Sequence, residues 1–138
     1  MANILRRGFA QSEFEHRKAR VQQIMHDMKL DAMLFTTEPN VRYFTGFHTQ
    51  FWHSPTRPWF LVVPAEGKPV AIIPEIGASG MAETWIDNIV TWPSPRPDDD
   101  GISLVASTKL TALLMFLGIG ISGGSYLIQL YSFKKIGV

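Results

Sequence analysis

Apolar residues recur at helical period early in the chain. Phe14, Val21, Ile24, Met25 and Met28 fall on one stripe, with Glu15, Arg17, Lys18, Gln22 and Lys29 outside it. Ser12 followed three residues later by Glu15 has the spacing of a capping box, which predicts a helix from near Glu13 to near Lys29. Residues 1–11 read as a flexible lead-in. The pattern then shortens. Residues 32–36 are a brief apolar run before turn-forming residues, which predicts a buried strand. Thr37 is placed to cap a short helix with Pro39 in its first turn. In that helix Val41, Tyr43 and Phe44 are expected to face inward, and Gly46 to close it.

Further on, residues 59–63 and 70–73 form two apolar runs around Ala65-Glu66-Gly67-Lys68, the pattern of a hairpin. Pro58, Pro64, Pro69 and Pro74 stand at the strand ends, where a missing N–H is tolerated. Ala78, Met81, Ala82, Trp85 and Ile86 return to helical spacing and predict a helix over residues 77–86. Residues 88–92 read as another strand. The proline-rich stretch 93–97 is expected to be an extended loop. Asp98, Asp99 and Asp100 suit the N-terminus of a helix carrying Ile102, Val105, Ala106, Leu113 and Phe116. Residues 119–121 are expected to form a last strand and residues 126–135 a last helix. Helices alternating with strands around a hairpin predict an α/β fold: a mixed β-sheet flanked by helices.

The 138 residues suit a single domain, expected over residues 12–138, large enough to bury about 65–70% of its unfolded surface. Hydrophobic content of 46% against 18% charged excludes a disordered chain. The net charge of +1 and scattered basic residues give no electrostatic reason to expect nucleic acid. Without cysteine there are no disulfides or thiolate metal sites, which fits a cytoplasmic location. No long apolar run follows Arg6-Arg7, so a signal peptide is not expected. Residues 110–133 carry no charge and approach the length of a membrane span. Ser122-Gly123-Gly124-Ser125 and Gln129 interrupt them, so a core helix and strand are favoured over a membrane tether.

Candidate chemistry is sparse. His48 and His53 share one loop with Trp52, but no third ligand stands at metal spacing. They are open to three uses: metal ligand or general base, an exposed or interface loop, or contact with a substrate held by another domain. The run Asp98–Asp100 is more simply a capped helix start than a magnesium or calcium cluster. Ser122-Gly123-Gly124-Ser125 lacks the glycine spacing and lysine of a phosphate loop. With no cysteine there is no thiol nucleophile. The aromatic loop stands out. Phe47, Phe51, Trp52, Trp59 and Phe60 lie among Arg42, Arg57 and two histidines, and Trp and Arg are the residue types enriched in interface hot spots.

Several segments in order carry a resemblance. They are Glu13-Phe14-Glu15-His16-Arg17, Asp31-Ala32-Met33-Leu34-Phe35, Pro39-Asn40-Val41-Arg42-Tyr43-Phe44-Thr45-Gly46-Phe47, Ile72-Ile73-Pro74-Glu75 and Asp98-Asp99-Asp100-Gly101-Ile102-Ser103-Leu104. Over roughly residues 12–115 the chain resembles the N-terminal domain of the creatinase, prolidase and Xaa-Pro aminopeptidase family, the pita-bread metallohydrolases. Residues 116–138 are atypical for it. The resemblance implies a three-layer, ribonuclease H-like α/β domain that helps build a dimer and shapes the entrance to an active site. It implies that His48, Phe51, Trp52, His53 and Arg57 make substrate-side or interface contacts. In that family two divalent metal ions are held by two Asp, a His and two Glu of a separate catalytic domain, and no segment here matches that set. No catalytic, metal-ligating or cofactor-binding residue is therefore assigned to this chain. A peptide or small amide substrate is expected only through the site of a partner, either a catalytic domain or the second subunit of a homodimer. Two alternatives stay open: a free-standing binding or assembly module, or a truncated gene product without enzymatic role; and a membrane-tethered domain using residues 110–133.

Overall fold

The computed structural model describes residues 9–54, 56–96, 101–107 and 131–134. The first element is helix α1 (Gln11–Met28), followed by strand β1 (Leu30–Phe35) and helix α2 (Glu38–Thr45). The hairpin is β2 (Phe60–Pro64) and β3 (Val70–Pro74). Then come α3 (Ala78–Ala82), β4 (Asn88–Trp92), α4 (Ile102–Ser107) and β5 (Tyr131–Lys134).

The start of α1 departs from the capping-box expectation. Ala10 is the N-cap, and no side chain caps the helix. Glu15 accepts a hydrogen bond from Gln11 Nε2 at 2.8 Å, an i, i+4 pair on the helix surface. Gln11 thus lies in the helix and not in the lead-in, whose residues 1–8 are outside the described residues. The apolar stripe also narrows. Phe14 and Met25 are fully buried and Val21 packs against the core, but Ile24 and Met28 are about half exposed, at 51% and 54%. The helix ends where Lys29 turns left-handed (φ 56°) and returns its N–H to His26 O at 3.1 Å.

Sheet order is β4-β3-β2-β1-β5. Four strands, β4-β3-β2-β1, form the mixed body of the sheet. β1–β2 and β2–β3 pair antiparallel, and β3–β4 pair parallel. Antiparallel pairing with β1 places β5 at the far edge, so residues 131–134 are a strand where a helix over 126–135 was expected. The expected strand over 119–121 and the carboxylates of Asp98–Asp100 lie outside the described residues.

Side chains alternate across this sheet at the period of 2 that the backbone imposes. Met33, Phe35, Leu61, Val63, Ala71 and Ile73 face one core with Phe14, Met25, Val41 and Phe44 of the helices. Ala32, Phe60, Val62, Ile72 and Trp92 face the other, where Val105 of α4 covers them. Helices on both faces make the three layers. The connection from β3 to β4 is shorter in helix than the periodicity predicts. A 3-10 turn (Glu75–Gly77) precedes α3, which ends at Ala82, and Trp85 and Ile86 are buried from the turn that follows. Gly77 is required here by close approach, since a Cβ on it would collide with the Trp59 ring.

Candidate functional site

The loop of interest leaves the C-terminus of α2. Pro39 sits in the first turn of that helix, where its absent N–H is not missed, and Val41 and Phe44 anchor one face in the core. Tyr43 was expected to face inward and instead is 48% exposed, lying 4.5 Å from the Arg17 guanidinium of α1. Position 43 falls between the two buried anchors, so its side chain leaves the helix on another side. Gly46 ends α2 at φ 75°, a backbone region that other residues enter at a cost, and returns its N–H to Arg42 O at 2.8 Å. Thr45, 1% exposed, sets the exit. Its hydroxyl donates to Val41 O at 2.7 Å and accepts from the Phe47 N–H at 2.9 Å.

Beyond Phe47 the chain forms a 3-10 turn (Gln50–His53), with Thr49 Oγ1 accepting the Phe51 N–H at 3.2 Å. The aromatic rings make a short stack. Phe47 lies 5.3 Å from Trp59, and Trp52 lies 5.8 Å from Trp59 with the two planes only 22° apart. Trp59 is buried and Trp52 is half-buried, so Trp52 is the outer member of a platform whose base is the core. Phe51 packs against the same core cluster, with the Arg57 guanidinium 5.8 Å from its ring.

The five residues singled out from sequence thus divide in two. Phe51, Trp52 and Arg57 form one half-buried group. His53 ends the 3-10 turn and His48 precedes it, both exposed, and His48 Nδ1 is 3.1 Å from Glu38 Oε1 in the first turn of α2. No sequence spacing signals that contact, which brings the chain after Gly46 back beside the start of α2. Arg57 is the least satisfied of the five. Nη1 reaches Ser54 Oγ only at 3.5 Å, Nε is buried without a partner, and no ion pair to Arg57 occurs among the described residues. A half-buried guanidinium that meets no carboxylate among the described residues favours an incoming one. Trp59 Nε1 is likewise buried and unpaired, a consequence of its ring being wedged between Gly77 and Trp52.

Among the described residues, no three His, Cys, Asp or Glu side chains are grouped so as to hold a metal ion. None of the helices there is long and apolar enough to cross a membrane. Of the uncharged stretch 110–133, only residues 131–133 are described, and they belong to β5.

A three-layer α/β domain with a mixed sheet and an aromatic loop after its second helix defines the class of the protein. The sequence profile of the Creatinase/Prolidase N-terminal domain matches residues 17–121, so the chain belongs to that family. The match runs slightly further than the expected end at residue 115. Solved structures with the same fold include dipeptidase PepE from Mycobacterium ulcerans, 22% identical with a TM-score of 0.58 over 71% of this chain and 26% of that one. The N-terminal domain of an X-Pro dipeptidase from Streptococcus pyogenes is 15% identical with a TM-score of 0.58, covering 68% of each chain. A proline dipeptidase from Streptococcus agalactiae is 20% identical with a TM-score of 0.56, over 72% of this chain and 67% of that one. The chain therefore spans about a quarter of the PepE length. No curated protein sequence matches it.

Proposed function

We propose that this chain is the non-catalytic N-terminal domain of a metal-dependent Xaa-Pro peptidase-like hydrolase of the cytoplasm. It serves dimerisation and gates an active site held, with its two divalent metal ions, by a separate catalytic domain. Family membership supplies the setting. The observation that carries the reading is the loop at residues 48–57. It holds a half-buried Trp on an aromatic base and, close by, a guanidinium that has no counter-ion among the described residues. Both are features of a surface completed by a second molecule. In this reading Trp52 and Phe51 pack against the neighbouring subunit or the substrate. Arg57 meets a carboxylate there, and His48 and His53 line the approach. The substrate, a peptide or small amide, reaches this chain only through that shared site.

Two measurements test the proposal. The purified chain, given manganese, cobalt or zinc and an Xaa-Pro dipeptide, is expected to show no turnover; metal-dependent hydrolysis by it alone would sink the non-catalytic reading. Trp52→Ala and Arg57→Met are expected to weaken self-association, or capture of a prolidase-type catalytic domain, by about tenfold or more. Their melting temperatures, recorded alongside, separate lost contact from lost fold. Unchanged association in both variants would remove the loop from the interface. A stable complex with an unrelated protein would favour the assembly-module alternative.

A further inference from the structure

We draw no further inference here: the strongest candidate, the outer hydrogen-bonding edge of β4 at the end of the sheet, carries nothing because nothing in the structure shows what covers it.

Discussion

Trp59 and Trp85 occupy the same core cluster, both almost fully buried, yet their indole nitrogens differ. Trp85 Nε1 donates to Phe44 O at 2.7 Å, tying the turn after α3 to the end of α2. Trp59 Nε1 has no partner. Replacing either by Phe removes a similar volume, so the difference between the two variants isolates the hydrogen bond. Trp85→Phe strips a partner from the Phe44 carbonyl, whereas Trp59→Phe also removes an unsatisfied donor. Trp85→Phe is expected to cost more, by about 1–3 kcal/mol, in urea unfolding. Equal costs would mean that the Trp85 bond contributes nothing net. Residue identity alone does not separate these tryptophans. Trp59 opens an apolar run and Trp85 stands between Thr84 and Ile86, and only the position of the neighbouring backbone decides which nitrogen is satisfied.

At the scale of elements, α1 shows how burial and pattern part company. Its sequence offers a stripe of five apolar positions, but the sheet and α2 cover only part of it, leaving Ile24 and Met28 half exposed. Besides buried Phe14 and Met25, a polar clamp that periodicity does not reveal holds the helix. Gln22 Nε2 donates to Pro64 O at 2.9 Å and Gly67 O at 3.1 Å, and Lys18 Nζ reaches Gly67 O at 3.4 Å. Gly67 lies in the turn of the β2–β3 hairpin, and Pro64 ends β2 beyond its last pair with β3. Gln22→Ala is expected to cost about 0.5–1.5 kcal/mol and to speed amide exchange selectively in residues 65–68. Exchange that rises evenly across α1 would show that the clamp serves the helix and not the turn. The loop at residues 46–57 has the same character. Its length and aromatic content are plain in the sequence, and so are Gly46 and the prolines that bound it. The contact between His48 and Glu38 and the unpaired Nε of Arg57 depend on how α2 and the sheet are placed.

For the whole molecule, the sheet divides two apolar clusters that share every central strand. Trp92 lies in one, Trp59 and Trp85 in the other. Because each residue step along β2 and β3 alternates between the clusters, neither can melt while the ladder persists. Tryptophan fluorescence and far-UV circular dichroism are expected to report one coincident unfolding transition. Two separated midpoints would show that the α4 face comes away independently.

Most of the central architecture was legible in the sequence, because the hairpin, the short helix with Pro39 and Gly46, and the strand over 88–92 each carry local chemistry that admits one backbone course. The family was reached by resemblance, over several segments between residues 12 and 115, and the profile match over residues 17–121 bears it out. What the sequence did not decide depends on long-range neighbours. A strand rather than a helix at residues 131–134 follows from pairing with β1, about a hundred residues earlier in the chain. The exposure of Tyr43 and Met28, and the incomplete bonding of Arg57, follow from which surfaces the other layers happen to cover. Local sequence sets the direction of each backbone segment and side chain. Only tertiary packing sets what each side chain meets, and the properties proposed for the loop rest on that meeting.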